Sequence, residues 1–375
     1  MGPRLKNTLV LLVKLAVTGA LLAWVVSGVR WHDHVVTPDG QSWRVLDSQG
    51  RRLRVLAPAG PAWHDPADFV AIEGQLVRPG ITNILHRLHP GPCLLAAVLF
   101  AAQLTLMGIR WWCLLRWQAL AVPLGPAVRL MFVGHFFNFF LPGSTGGDVV
   151  RAVLVTRRTS ARTVAVATVL LDRFVGLAGM AALAGAMTLA TWGRPQTQRA
   201  ALAVAVTLAI LAAAGLVLFS RRVQRALRIG ALLDRLPQSQ NLHLALDTLR
   251  ALPRAPATAA TVTGMTLAVH LLLAGAVASL GAALDLPVPV GLYFLFVPVI
   301  YILAAVPVSI GGLGVVEGMY LVFFASSPGV DASAVVAMSL LARLGPMLLS
   351  LAGLVFWLSE RGARRATPAN PGETT

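Results

Sequence analysis

The sequence predicts an all-α polytopic membrane protein, with about six full spans plus two re-entrant broken helical hairpins in an inverted repeat, and a small β-rich extracytoplasmic insert. Three observations carry the prediction. The 375-residue chain is 57% hydrophobic and 12% charged, with a mean hydropathy of +0.73, whereas soluble domains carry roughly a quarter charged residues. Several apolar stretches reach about 20 residues, the length that crosses a bilayer core. Two apolar stretches are broken by proline and paired glycines, one in each half of the chain.

The segments follow in order. Residues 1–29 form a first transmembrane helix, from about Thr8 to Ser27, behind Arg4 and Lys6. No convincing small-x-small cleavage site follows it, so it reads as an uncleaved helix rather than a signal peptide. Residues 30–90 are polar and turn-rich. Thr37-Pro38-Asp39-Gly40 and Asp47-Ser48-Gln49-Gly50 are turn signals, and Ser42–Asp47 and Arg52–Leu56 alternate as strands do. Two or three hairpin strands are expected. Five of the eight histidines, His32, His34, His64, His86 and His89, fall in or just after this insert. They read as solvated loop residues rather than a metal site.

Residues 91–360 form the helical membrane domain. Spans are expected over Cys93–Trp117, Val164–Thr191, Ala200–Phe219, Thr258–Ala283 and Ala332–Leu358. The first ends in Arg110, Trp111, Trp112, Arg116 and Trp117, an interfacial aromatic and basic belt. The link 221–256 carries seven arginines, with Val223, Ala226, Leu227, Leu233 and Leu236 at helical spacing. It reads as an amphipathic helix on an anionic leaflet. Residues 361–375 read as a disordered tail.

The net charge of +16 does not point to nucleic acid, because no basic soluble domain is visible. The basic clusters at 151–162, 221–254 and 361–365 instead fall on one side, with Arg4, Lys6 and Arg129. The positive-inside rule makes that side, and both termini, cytoplasmic. A bacterial-type inner (plasma) membrane is expected.

The first break reads Asn138-Phe139-Phe140-Leu141-Pro142-Gly143-Ser144-Thr145-Gly146-Gly147-Asp148-Val149-Val150-Arg151; the second reads Pro307-Val308-Ser309-Ile310-Gly311-Gly312, with Glu317 after it. Proline, serine and both glycines match between the two. A helix carrying arginine follows each: Asp172-Arg173 after the first, Arg343 after the second. Broken helices at membrane depth are tolerated where they face protein or a polar cavity, and inverted-repeat transporters bind substrate between such elements. Arg110, Asp148, Arg151, Asp172, Arg173, Glu317 and Arg343 are costly in lipid. They either pair with one another or line a polar path. The excess of arginine suits an anionic ligand such as a phosphate, whose oxygens guanidinium matches.

At these residues the chain resembles the lysylphosphatidylglycerol synthase transmembrane-region family of flippase-like integral membrane proteins. The family's Asn-x-x-x-Pro-Gly-x-x-Gly-Gly-Asp-x-x-Arg stretch is similar to Asn138–Arg151. Its Asp-Arg pair resembles Asp172-Arg173, its Pro-x-x-x-Gly-Gly-x-Gly-x-x-Glu stretch resembles Pro307–Glu317, and its last-helix arginine resembles Arg343. The resemblance covers roughly 93–358. The insert is not a usual element of the family, and no soluble aminoacyltransferase domain is visible after Ser359. The resemblance therefore implies lipid translocation rather than lipid aminoacylation.

The expected function is a flippase or scramblase moving an anionic or glycan-bearing lipid head group between leaflets, without enzymatic activity or a cofactor. Expected partners are that phospholipid or lipid-linked substrate, anionic membrane lipids and a separate lipid-synthesising enzyme. The residues expected to carry translocation are Asn138, Pro142, Gly146, Gly147, Asp148, Arg151, Asp172, Arg173, Pro307, Gly311, Gly312, Glu317 and Arg343. One alternative is an intramembrane lipid-modifying enzyme using His135, Asp148 and Glu317. No His-Glu-x-x-His, Gly-x-Ser-x-Gly or phosphate-loop lysine supports it. Another is an assembly scaffold built on the 30–90 insert.

Overall fold

The computed structural model of the chain describes residues 3–27, 30–49, 52–71, 76–140, 146–228, 230, 234, 239–305 and 309–366. Helix α1 (Pro3–Ser27) leads into four strands, β1 (His34–Val36), β2 (Ser42–Gln49), β3 (Arg52–Ala57) and β4 (Gly60–His64). They form one antiparallel meander in sequence order. The sequence suggested two or three strands. The fourth, Gly-Pro-Ala-Trp-His, has a weak strand composition and forms only by pairing with β3, Leu53 opposite His64 and Ala57 opposite Gly60. Val35, Leu53, Val55 and Phe69 make the insert's own small core.

The helices are α2 (Ile81–His86), α3 (Pro90–Trp117), α4 (Leu124–Phe140), α5 (Gly146–Thr156), α6 (Arg162–Ala190), α7 (Pro195–Phe219), α8 (Arg221–Ala226), α9 (Ser239–Ala251), α10 (Pro256–Ala283), α11 (Val290–Ala304), α12 (Val315–Phe324) and α13 (Ala332–Ala366). Among the described residues, five helices, α3, α6, α7, α10 and α13, are long and apolar enough to cross a membrane. Helix α1 adds 25 residues of helix with an apolar stretch over Leu15–Ser27. In the basic link, α8 carries Val223 and Ala226 of the predicted spacing, and a further amphipathic helix on Ser239–Ala251 packs on the start of α6, where Thr163 and Asn241 lie 3.0 Å apart. Leu233 and Leu236 are outside the described residues. Helix α13 continues to Ala366, beyond the expected start of the tail.

Two repeats stand out by length alone. Helices α3 and α10 are each 28 residues. Helices α4 and α11 have 17 and 15, α5 and α12 have 11 and 10, and α6 and α13 have 29 and 35. The repeats are inverted, because α3 and α10 pack antiparallel: Arg110 meets Thr266, Leu99 meets Gly275, and the His89 N–H reaches the Ala283 carbonyl. They also interlock. Helix α4 packs on α13 and α11 on α6, so each hairpin leans on the last helix of the other repeat.

The two hairpins consequently enter from opposite ends of the bundle. Helix α11 begins at the insert end, with Gly291 against Thr191 at the end of α6. Helix α4 begins at the other end, after α3. The insert caps its end by docking on α13: Arg78 pairs with Asp331 at 3.1 Å, the Arg30 N–H reaches Ser333, and Ile81 and Ile84 pack with Val25, Ala334 and Val336. His34 is not the solvated residue its loop setting suggested. It is 5% exposed, contacts Arg30 through Nε2 and exchanges backbone hydrogen bonds with Arg78. Burial, then the Arg30 charge, holds its imidazole below the ordinary 6.5.

Candidate functional site

Between α4 and α5, residues 141–145, Pro142 included, lie outside the described residues. On their far side Gly146 starts α5. Gly147 packs so closely on α4 that a Cβ there would sit 1.7 Å from the Gly134 carbonyl oxygen, so only glycine fits. Its N–H donates to Asn138 Oδ1 at 2.8 Å. Asp148 then falls in the first turn of α5, where a carboxylate complements the helix dipole. Arg151 lies one turn further on.

The second hairpin is built differently. Pro307 is outside the described residues. Gly311, Gly312 and Gly314 have φ of +59°, +71° and +79°, left-handed backbone that glycine adopts without a Cβ penalty. Glu317 closes the turn by accepting the Gly314 N–H at 2.7 Å. Arg343 pins it from α13, donating to Glu317 at 2.5 Å, the Gly311 carbonyl at 3.0 Å and the Gly312 carbonyl at 3.2 Å. The hairpins meet at Asn138. Its side chain holds Gly147, and a Cβ at Gly311 would lie 4.0 Å from its carbonyl oxygen.

Between them runs a chain of alternating charge from three helices. Arg110 on α3 binds Asp172 on α6 at 2.9 Å. Asp172 also accepts from Arg151 at 3.1 Å, Arg151 reaches Asp148 at 3.3 Å, and Asp148 accepts from Arg173 at 2.9 Å. Arg110 further donates to Thr266, and the Arg151 guanidinium lies 4.6 Å over the Trp111 ring. Side-chain exposure falls into two classes: Arg110, Arg151 and Asp172 are at 2–3%, whereas Asp148 is at 22% and Arg173 at 32%. The buried members neutralise one another, as charges at this depth must, although Arg151 Nε has no hydrogen-bond partner. The Arg173–Asp148 end is open enough to exchange partners.

That end faces a cavity of about 290 Å³ lined from both repeats, including Asn138, Asp148, Arg173, Gly311, Gly312 and Arg343. Of the predicted residues that are described, Asn138, Asp148, Arg151, Asp172, Arg173, Gly311, Gly312 and Arg343 line the cavity, whereas Glu317 acts behind Arg343, Gly147 behind Asn138, and Gly146 opens α5 without lining it. The acid after each break pairs with an arginine of the following helix at nearly the same separation, 25 residues for Asp148–Arg173 and 26 for Glu317–Arg343. Sequence reasoning missed Thr266, Gln103, Tyr301 and the cavity face of His270, and it read Arg110 and Trp111 as part of an interfacial belt although both are buried inside the bundle. Each is an ordinary helix residue, and only packing across helices gives it a role.

The fold and site define a polytopic membrane protein whose two inverted repeats place broken helices around a shared, arginine-rich central cavity. Comparison with known families agrees. The chain matches the lysylphosphatidylglycerol synthase TM region over residues 80–353, and it belongs to that family. The matched span runs from Gly80 into α13 and holds both breaks and the whole charge chain, while α1 and the four-stranded sheet lie before it. No curated protein matches the chain. The family ties the chain to membrane lipid.

Proposed function

We propose that the protein is a flippase or scramblase that passes the phosphate-bearing head group of an anionic lipid through the cavity while the acyl chains stay in the bilayer. The observation that carries this is the Arg173–Asp148 pair, a charged couple left partly exposed on the wall of a cavity that both inverted repeats line. A phosphate entering there competes with Asp148 for Arg173, exchanging one oxyanion for another around the same fork of donors. The cavity's charges sum to a surplus of cation: Arg110, Arg151, Arg173 and Arg343 against Asp148, Asp172 and the Glu317 behind them. A phosphodiester brings the missing charge.

The lining favours a small anionic head group over a glycan. Its polar side chains are mostly charged groups already engaged with each other, and among the described residues no serine, threonine or tryptophan lines it. A glycan needs many neutral hydrogen-bonding partners and stacking rings. The enzyme alternative finds less support, since Glu317 is spent on Gly314 and Arg343, and Asp148 is held between two arginines.

The test is head-group translocation in vesicles reconstituted with the purified protein, read by quenching of a fluorescent phosphatidylglycerol. Arg173→Ala should abolish protein-dependent quenching while the protein elutes and melts as wild type. Wild-type rates in that variant would sink the proposal.

A further inference from the structure

A second groove lies at the opposite end of α3 from the insert, outside the cavity. There the last turns of α3 and the first turns of α10 form a groove of about 370 Å³ lined by Trp112, Cys113, Arg116, Trp117, Thr258 and Thr261. Its floor is packed: Cys113 and Trp117 sit on Leu114, Leu171, Leu252 and Val262. The Arg116 guanidinium lies 5.1 Å over the Trp112 ring. That contact holds the cation at the mouth of the groove, and no carboxylate pairs with it among the described residues. The groove therefore offers one preoriented, unneutralised guanidinium, two hydroxyls and two indoles at a membrane-interface belt.

We infer that this groove retains one anionic phospholipid, its phosphate on Arg116, its glycerol region against Trp112 and Trp117 and its chains along α3 and α10. Two features of the chain select this occupant. The groove lines no acidic residue, so a zwitterionic head group finds no partner for its cation. The same end of the bundle carries Arg157, Arg158, Arg162, Arg221, Arg222, Arg225 and Arg254, which enrich anionic lipid in that leaflet. The site is structural to the lipid annulus, and its occupancy does not depend on transport through the cavity.

Native mass spectrometry of the full-length protein, delipidated and then titrated with phosphatidylglycerol or with phosphatidylcholine of matched chains, tests the assignment. Wild type should retain one phosphatidylglycerol in preference to phosphatidylcholine. Arg116→Gln should cut that retention roughly fivefold, the worth of one interfacial arginine. Trp112→Leu should weaken it in a fold-preserving background, and Arg173→Ala, in the cavity, should leave it unchanged. Equal retention of the two lipids, or full retention in Arg116→Gln, overturns the site. Displacement of phosphatidylglycerol by inorganic phosphate alone would assign the groove to a free anion and overturn the lipid reading. Loss of retention in Arg173→Ala with none in Arg116→Gln would place the bound lipid in the cavity instead.

Discussion

Arg343 and Arg173 look alike in sequence, each an arginine in the helix after a break, and the structure gives them different work. Arg343 is saturated by Glu317 and two glycine carbonyls, so it fixes the second turn. Arg173 has one carboxylate partner and a third of its side chain exposed. Arg343→Ala should therefore lower the melting temperature as well as transport, whereas Arg173→Ala should lower transport alone; thermal unfolding beside the vesicle assay separates them. Asp172 holds two buried arginines. Asp172→Asn leaves Arg110 without a counter-charge and Arg151 with Asp148 alone, and a loss of about 3–5 kcal/mol is expected, read as collapse of the monodisperse peak on size exclusion. Gly147→Ala should fail the same way, because its methyl would overlap the Gly134 carbonyl.

At the scale of elements, the insert's hold on α13 is expected to weaken with acid. His34 sits under the Arg30 and Arg78 guanidiniums, with Asp331 opposing them. Its docked imidazole binds a proton less readily than the free one. As pH falls through 6.5, the undocked form gains the proton first, and docking weakens. Protection of the backbone amides over 30–36 and 78–84, corrected for the intrinsic exchange rate at each pH, should fall between about pH 7.5 and about pH 5.5, and His34→Gln should flatten that change. Unaltered protection in the wild type would remove the coupling. The two breaks show how differently one requirement is met at this scale. The first stays tight by close helix contact at Gly147, the second by three left-handed glycines clamped from α13.

For the whole molecule, the inverted repeat fixes a topology that labelling can check. The insert and the basic loops lie at opposite ends of the bundle. A cysteine at Ser48 and one at Arg158, in a background lacking Cys93 and Cys113, should react with membrane-impermeant maleimide from opposite faces of sealed vesicles. The interlocked packing, α4 on α13 and α11 on α6, means that tilting one repeat moves a hairpin of the other. That coupling is the physical means by which a cavity at their junction could open to one side and then the other.

The sequence alone determined the membrane class, the span positions to within a few residues and both breaks, because bilayer thickness imposes length and apolarity on every span and glycine marks backbone that other residues cannot adopt. It also placed Asp148, Arg151, Asp172, Arg173, Glu317 and Arg343 as charges needing an explanation. It left open whether they pair or bind. Only the tertiary structure showed that they pair, since all the pairs but Asp148–Arg151 join residues 21 to 62 apart on different helices and no local periodicity encodes those contacts. The fourth strand, the buried His34 and the stacking of Trp111 on Arg151 were likewise set by packing across elements, where the energy of a pair depends on what surrounds it and not on the residues that flank it.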